Sequence, residues 1–393
     1  MAALPPLALG IQAGTYRVAA QAVFGGAVPF AGATLPIYSF ELDLNGYNLA
    51  TTFSVRCPIN PFDTRNPKSQ TTDWNAIFQQ ACDQGQPLTC DIQISYESVP
   101  AGSQTPTRMM TLEQGHVDQI TLDLAANEQT FICRTAGAIL QDTRIQGGLP
   151  QKFPYASQAV SYLLATYAKF LPASGITVIP SLYQIGHSFT EADYQKSVRG
   201  QSVWDYISQL AQDDGYILTI HNQKAYYGPP GSYPGAPTLA YAWGKDLVEC
   251  RIDHAARRSR NIQVVVTGIN QRRQARILAY YPVNVSQATE KYYIDVKHNH
   301  TKSSASAFAQ QQYTEIITKE FVIEAELIPD TALLQTLSTF GPHFYVNFAG
   351  IPASAAKPTY HCKQAHVALT NGDSDAEVRV LLTCENHVGT SNS

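Results

Sequence analysis

The sequence has few charged residues for its length. Asp, Glu, Lys and Arg make up 15% of the 393 residues, against roughly 25% in an ordinary soluble domain. The formal net charge is −4, which argues against a strongly basic nucleic-acid-binding protein and against an acidic tail protein. Hydrophobic residues make up 44% of the chain, which excludes an intrinsically disordered polypeptide. Little charge combined with 22 Tyr residues indicates surface that other subunits cover.

Signals for membranes, secretion and disulfides are also missing. No run of 18 apolar residues occurs, so no transmembrane helix is expected. The N-terminus lacks a basic segment and is interrupted by Pro5, Pro6 and Gly10, which argues against a signal peptide. The 7 cysteines form no CxxC pair, which predicts reduced and mostly buried thiols. An intracellular compartment, or a particle assembled there, is the expected location.

Catalytic motifs are absent, and the remaining candidates are weak. The sequence has no Walker A loop, GxSxG, HExxH or GxGxxG motif. Residues 297–300 have the letters of an HNH nuclease but lack its further ligands. His361, Cys362 and His366 carry zinc-ligating atoms, but strand alternation places positions 361 and 366 on opposite faces. The simplest interpretation of Asp213-Asp214 is a solvated helix end, with a glycosidase pair as the alternative. We therefore predict no catalytic residue, no metal site and no cofactor.

The first third of the sequence has the period of β-strands. Residues 1–36 are rich in Ala, Gly and Pro, and we expect an extended arm ordered against a neighbour, with a flexible tail as the alternative. From Phe40 apolar residues alternate with polar ones, and Asn45-Gly46 favours a type I′ hairpin turn. Alternating runs around 92–96 and 120–124 add further strands. Together they predict a small antiparallel barrel or sandwich.

The middle of the sequence changes to a helical period. Apolar residues from 160 to 171 fall on one face of a helix. A second helix is predicted from Ser202, which has Asp205 at capping-box spacing, to the stop at Gly215. Two short strands follow, which indicates a small α/β domain. The Pro- and Gly-rich loop 228–237 is the best linker candidate.

The last third returns to β structure. The run 262–267 is nearly all β-branched and predicts a central strand. A helix is predicted over 304–317, and clear alternation follows at 321–327, 344–348 and 378–384. The order is therefore β-rich, α/β, β-rich, with no detectable sequence repeat between the two β-rich parts.

Seven arginines are concentrated in one stretch that contains a single acidic residue, Asp253. We predict a charged contact with an acidic partner subunit, or a basic ring around an oligomer axis, because the planar guanidinium pairs bidentately with carboxylates. A solvated surface is the alternative, and nucleic-acid binding is disfavoured because aromatic residues are absent there. These candidate interface residues are Arg251, Arg257, Arg258, Arg260, Arg272, Arg273 and Arg276.

Three segments in this order resemble the baseplate hub (late control D-like) proteins of contractile-tailed bacteriophages, which are related to the N-terminal part of type VI secretion spikes. The first is residues 115–120 followed by 134–142. The second is Ser202-Val203-Trp204-Asp205-Tyr206-Ile207, and the third is the helix 304–317 with Leu327-Ile328-Pro329-Asp330. The resemblance covers about residues 38–385. The third segment departs from the family in lacking its Pro-Gly-x-Pro and Gly-Thr signatures.

The resemblance implies a mainly β fold with an α/β insert. It consists of two tail-tube-like antiparallel β-barrel domains plus a smaller α/β domain. The expected division is an N-terminal arm (1–36), a first barrel (37–145), an outer α/β domain (146–237) and a second barrel (238–393), with room for an inserted subdomain around 282–340.

The resemblance also implies partners. Three chains form a pseudo-sixfold ring that joins the hexameric tail tube to the trimeric central spike. Baseplate wedge proteins bind outside and the tape-measure protein occupies the lumen. Such a hub belongs to the virion, is assembled in the host cytoplasm, and needs no membrane, specific nucleic acid or enzymatic activity. The alternatives are a type VI-like spike or distal tail component, and a hub with associated cell-wall hydrolase activity.

Overall fold

Strands make up most of the regular structure. The computed structural model describes the following residues: 15–25, 33–47, 50–59, 79–80, 83–84, 88–99, 109–147, 149, 153–181, 198–255, 261–270, 275–283, 288, 290–296, 301–353, 355, 357, 359–371 and 376–387. Their strands are β1 Thr15–Gly25, β2 Ala33–Pro36, β3 Ser39–Asn45, β4 Thr52–Pro58, β5 Thr89–Val99, β6 Met110–Asp123, β7 Glu128–Thr135, β8 Ile176–Val178, β9 Ile217–His221, β10 Lys224–Gly228, β11 Thr238–Ala242, β12 Leu247–His254, β13 Ile262–Asn270, β14 Ala275–Tyr281, β15 Glu290–Val296, β16 Phe321–Leu327, β17 Tyr345–Ala349, β18 Tyr360–Asn371 and β19 Ala376–Asn386.

Five α-helices accompany these strands in the described part of the chain. None of them is both long and apolar enough to span a membrane. Their bounds are α1 Gly137–Asp142, α2 Ala156–Tyr167, α3 Val203–Asp214, α4 Lys302–Thr318 and α5 Thr331–Phe340.

Strands β1 to β7 form the first barrel. They follow the sheet order β3-β4-β7-β6-β5-β1-β2. The barrel closes because β2 continues into β3: the N–H of Ile37 donates to Ala20 of β1, and the N–H of Tyr38 donates to Arg56 of β4. Residues 15–25 were expected to belong to an arm against a neighbour, but they pair with β5 of the same chain over their whole length.

The first hairpin has a longer connection than the sequence predicts. Strands β3 and β4 pair as expected, but their last paired residues are Asp43 and Thr52, so the two-residue type I′ turn at Asn45-Gly46 is wrong. Gly46 serves a close approach instead, because its N–H donates to the Lys363 carbonyl at 2.9 Å and a Cβ would lie 2.7 Å from that oxygen.

The second barrel repeats the plan of the first. Taken in chain order, the strands β3, β4, β5, β6 and β7 correspond to β12, β16, β17, β18 and β19. In both sets the sheet order is first, second, fifth, fourth, third. Strand β11 pairs with β17 and leads through a tight turn into β12, where Trp243 bridges to Leu247. The chain therefore contains two barrels that share a five-strand order without a sequence repeat, although β17 pairs parallel with β11 whereas β5 pairs antiparallel with β1.

The two barrels share one sheet of 13 strands. Strand β18 of the second barrel pairs antiparallel with β3 of the first, from Gln364 opposite Asn45 to Thr370 opposite Ser39. One apolar core runs through both barrels. This confirms the prediction of a mainly β fold with two antiparallel barrels. Of the cysteines that the structure describes, five are buried and all six are free thiols, as predicted.

Two smaller units flank this sheet. The α/β unit comprises α1 to α3 and the sheet β8-β10-β9, and has its own core. Its helix α3 begins and ends as predicted: the Ser202 hydroxyl accepts from the Asp205 N–H, and Gly215 is left-handed with φ +63°. The small sheet β14-β13-β15 packs one face on α4, and β13, which contains the β-branched run 262–267, is its central strand.

Candidate functional site

The structure describes two of the seven predicted interface arginines. Arg251 lies on β12 of the second barrel, and Arg276 lies on β14 of the small sheet. These two side chains therefore belong to different sheets. The other five lie outside the described residues, and their interface role stays a prediction: Arg257, Arg258, Arg260, Arg272 and Arg273.

Arg251 lies on the charged outer face of the second barrel. Its side chain is 66% exposed, with nitrogens 3.3 Å from Asp253 Oδ2 and 3.6 Å from Glu324 Oε2. On the same face Arg379 binds Glu326 through two hydrogen bonds of 2.9 and 2.8 Å, which lowers the pKa of the Glu326 carboxyl. Exposed pairs of this kind contribute at most about 1 kcal/mol to stability, so the interface role of Arg251 stays a prediction.

Arg276 lies on the outer face of the small sheet, which is rich in exposed apolar side chains. Tyr280 and Tyr293 flank Val265 in one cross-strand row. The exposed fractions are 43% for Tyr280, 70% for Tyr293 and 48% for the neighbouring Leu278. Tyrosine and arginine are enriched in protein interfaces, so this face is a second candidate surface.

A buried polar junction joins the two barrels to the α/β unit. Glu113 of β6 is fully buried, and its Oε2 lies 2.6 Å from Nδ1 of His221, which is 4% exposed. Glu113 Oε1 accepts from the backbone N–H groups of Gln114 and Asn222. The distance between Glu113 Oε2 and His221 Nδ1 is that of a hydrogen bond. The burial of this carboxylate is compensated by three hydrogen bonds.

The turn between β9 and β10 completes this junction. Asn222 and Gln223 have φ of +43° and +62°, as a two-residue type I′ turn requires. The Asn222 amide donates to the carbonyls of Leu112 in β6 and Ser338 in α5, at 2.9 and 2.8 Å. The Ser338 hydroxyl donates to the carbonyl of Thr111. No sequence motif marks these residues; an Asn between two short strands is their local signal.

Buried histidines lie beside this junction, where the α/β unit meets the second barrel. His343 is 1% exposed and stacks on Tyr233 at 5.0 Å, and neither ring nitrogen has a hydrogen-bond partner. His361 of β18 lies 6.2 Å from His343, centroid to centroid. Desolvation, together with the neighbouring histidines, lowers the pKa of His343 well below its usual value and that of His361 to about 3. Both rings are therefore neutral at physiological pH.

The carboxylate pair at the end of α3 separates into two environments. Asp213 is partly exposed, but Asp214 is 2% exposed, so the interpretation of a solvated pair is wrong for Asp214. Asp214 Oδ2 accepts from the hydroxyls of Ser181 and Tyr227. Burial raises the pKa of Asp214 to about 6, against the opposing effect of these two hydrogen bonds. Asp214 therefore joins α3 to the sheet of the α/β unit.

We expect Asp214→Ala to lower the free energy of unfolding by about 2 kcal/mol, because two buried hydroxyls lose their acceptor. Asp213→Ala is the matched control, and a change within about 0.5 kcal/mol is expected at that partly exposed position. Urea unfolding of both variants measures the difference. Equal losses would contradict the structural role of Asp214.

The weaker sequence candidates form no reactive cluster in the described residues. His361 and Cys362 are buried in the second barrel, whereas His366 Nδ1 lies 2.7 Å from Asp43 Oδ1 at the contact between barrels. No group of three His, Cys, Asp or Glu side chains suited to a metal ion occurs in the described ranges. The HNH-like letters at 297–300 lie outside those ranges.

Comparisons with known proteins give matches among solved structures. No family model matches the sequence, and no curated protein matches it. The tail protein from Neisseria meningitidis MC58 has 11% identity and a TM-score of 0.56, over 94% of this chain and 96% of its own. The 43 kDa tail protein of prophage MuSo2 from Shewanella oneidensis has 10% identity and a TM-score of 0.56, over 93% and 98%.

A third similar structure is a chain of the Francisella PdpA-VgrG complex. It has 11% identity and a TM-score of 0.51, over 94% of this chain but 58% of its own. The two tail proteins match along nearly their whole length, through both barrels and the α/β unit. This protein therefore has the fold of phage tail proteins.

Proposed function

We propose that this protein is a structural component of a phage tail, namely the baseplate hub. The observation that carries the proposal is the pair of barrels with one strand plan, joined edge to edge in a single sheet. Two like units in one chain allow a ring of three chains to present six barrels. Such a ring matches a hexameric tube on one side and a threefold spike on the other.

The domain roles follow from this arrangement. In our proposal the two barrels form the ring, and the α/β unit lies outside it. The tail tube binds above, the central spike below and the wedge proteins outside, and the tape-measure protein occupies the lumen. The protein acts in the virion after assembly in the host cytoplasm. The low charge of the chain supports this proposal, because a ring subunit covers much of its surface with other subunits.

The proposed role is mechanical, and no catalytic step belongs to it. In support, Glu113 and Asp214 accept hydrogen bonds within the chain, and His343 is enclosed against Tyr233. Each of these groups is almost fully covered, which leaves a substrate no access to it. A hub with cell-wall hydrolase activity is the alternative, and release of soluble fragments from peptidoglycan by the purified protein would favour it.

A type VI-like spike component is a second candidate. The similarity to the PdpA-VgrG chain favours it, although this chain spans little more than half of that one. Neighbouring genes separate the two functions: tube, tape-measure and wedge genes accompany a hub, whereas an effector gene accompanies a secretion spike.

The experiment that tests the ring is a measurement of the oligomer mass. We expect the purified protein, or the protein within tail particles, to have three times the chain mass of 43.0 kDa. Light scattering coupled to size exclusion gives the mass in solution, and threefold averaging of particle images gives it in the tail. A stable single chain at micromolar concentration would contradict the proposal.

A further inference from the structure

The shared plan of the two barrels makes β6 the counterpart of β18. Both strands are fourth in chain order and carry a bulge at the same step, between Val117 and Gln119 in β6 and between Cys362 and Gln364 in β18. Counting from the bulged residue, Leu122 of β6 occupies the position of Val367 in β18. Val367 is buried in the core, and strand alternation places Leu122 on the same face of β6 as Ile120, which packs against that core.

The same ladder makes β12 the counterpart of β3. Leu42 of β3 is connected across the sheet to Val117, the residue before the first bulge, through the pairs Leu42–Phe53, Phe53–Cys133 and Cys133–Val117. Ile252 of β12 is connected to Cys362, the residue before the second bulge, through the pairs Ile252–Ile323, Ile323–Cys384 and Cys384–Cys362. Ile252 therefore occupies the position of Leu42.

Within the chain, β18 and β3 join the barrels by edge pairing. Val367 lies opposite Leu42, and both are fully buried. On the outer face, His366 Nδ1 lies 2.7 Å from Asp43 Oδ1. One contact between barrels thus has apolar pairs inside and polar pairs outside.

The two strand edges that correspond to those of β18 and β3 are not paired within the described residues. The end of β6, residues 118–123, pairs with β7 on one edge. Its other edge is free of β5, because the pairing of β6 with β5 stops at His116. Residues 249–254 of β12 pair with β16 on one edge. In the described ranges no strand covers either of the two remaining edges. Leu122 is consequently 40% exposed, whereas its counterpart Val367 is fully buried.

We propose that these two edges pair with each other between copies of this chain. Residues 118–123 of one copy and 249–254 of the next form an antiparallel ladder in the register that joins β18 to β3. This register places Leu122 opposite Ile252 and Asp123 opposite Arg251. The inference rests on the proposed function, because it supplies the contact between neighbouring chains of the ring.

Charge and exposure both support this register. Arg251 is 66% exposed, so its guanidinium is accessible to a carboxylate on a neighbouring strand. Opposite charges directly across a ladder stabilise it, and like charges destabilise it. An exposed strand edge is a template for another chain, and a contact between two different edges propagates head to tail until a ring closes. One of the predicted interface arginines thus receives a partner residue.

Cross-linking tests the register directly. We expect the double variant Leu122→Cys, Ile252→Cys to form covalent oligomers with a short bismaleimide, because opposite Cβ atoms in a ladder lie about 5 Å apart. The matched control is Leu278→Cys with Ile252→Cys. Leu278 is also an exposed leucine on a strand, 48% exposed, but lies on β14. Equal cross-linking of both pairs would contradict the proposed register.

A charge placed on the edge tests the contact without covalent chemistry. We expect Leu122→Lys to weaken association at least tenfold, because an inward-pointing charge blocks edge pairing. Ile328→Lys is the matched control: Ile328 is also an exposed apolar residue, 42% exposed, but it lies on neither edge, so this variant should assemble as the parent protein does. Both variants should keep the parent circular dichroism, since both side chains are already exposed. A trimer unaffected by Leu122→Lys would contradict the edge pairing but not the proposal of a three-chain ring. A parent chain that stays single contradicts both proposals.

Discussion

Lowering the pH from 7 to 5 is expected to reduce the free energy of unfolding by about 3 kcal/mol. His343 and His361 are buried without compensating charges, and burial lowers the pKa of both rings, that of His361 to about 3. In the unfolded chain a histidine has a pKa of about 6.5 and takes up a proton that the folded protein disfavours. The stability due to the neutral rings is therefore complete above pH 6.5 and is lost as the pH falls toward 3.

The two largest contributions to this effect oppose each other. Smaller ones come from His116 and His387, whose pKa values burial also lowers, and from Asp91, whose pKa burial raises. At pH 5 the pH lies about 1.5 units below the histidine pKa of the unfolded chain. Keeping a buried ring neutral in the folded protein therefore costs about 2 kcal/mol per ring, at about 1.36 kcal/mol per unit. Asp214 acts in the opposite direction, because its pKa is raised to about 6 and the folded protein takes up this proton more readily than the unfolded chain. This proton uptake stabilises the folded protein by about 1 kcal/mol at pH 5.

The substitution His343→Leu identifies the source of the loss. Neither ring nitrogen of His343 has a hydrogen-bond partner, so an apolar side chain of similar size leaves no polar group unpaired. We expect this variant to lose about 2 kcal/mol less than the parent between pH 7 and pH 5, measured by urea unfolding at both values. Between pH 7 and pH 8 the two proteins should behave alike. The same acid loss in parent and variant would contradict this assignment.

Sequence patterns predicted the elements whose signals are local. Strand β16 has strict alternation of buried and partly buried residues, as expected for 321–327. Helix α3 has its signals at both ends, Ser202 and Gly215. Helix α5 was missed although its signals were local too: the Asp330 carboxylate accepts from the Leu333 N–H, and Leu333, Leu334 and Leu337 are buried. In the sequence, its ten residues lie between two stronger strand patterns.

Contacts between distant segments had no local signal. The pairing of β18 with β3 joins Val367 to Leu42, and alternation in each strand shows which face is buried but not which strand is its neighbour. Glu113 belongs to the same class, because its partner His221 lies 108 residues away. A glutamate in a strand predicts a solvated face. Glu113 is buried because the β9–β10 turn packs against it. For the same reason Asp214 could not be distinguished from Asp213.

The junction around Glu113 yields the largest expected effect of a single substitution. We expect Glu113→Ala to lower the free energy of unfolding by about 4 kcal/mol, because each buried hydrogen-bonding group that loses its partner costs about 1–3 kcal/mol and more than one such group is left here. His221 Nδ1 and the backbone N–H of Asn222 lose their hydrogen-bond partner at a buried site. The change also removes one of the contacts that tie β6 to the α/β unit, whereas the hydrogen bond from the Asn222 amide to the Leu112 carbonyl remains.

Two companion variants separate the hydrogen bonds of Glu113 from its charge. Glu113→Gln keeps a carbonyl oxygen for the Asn222 N–H, and His221 can change its tautomer to accept from the new amide, so a loss of about 1 kcal/mol is expected. Glu324→Ala is the matched control on an exposed strand face, where the ion pair with Arg251 is 3.6 Å long and a loss below about 1 kcal/mol is expected. Urea unfolding followed by fluorescence, with Trp204 buried in the α/β unit, reports the change. If Glu113→Ala were no more destabilising than Glu324→Ala, the junction would not hold the barrels and the α/β unit together.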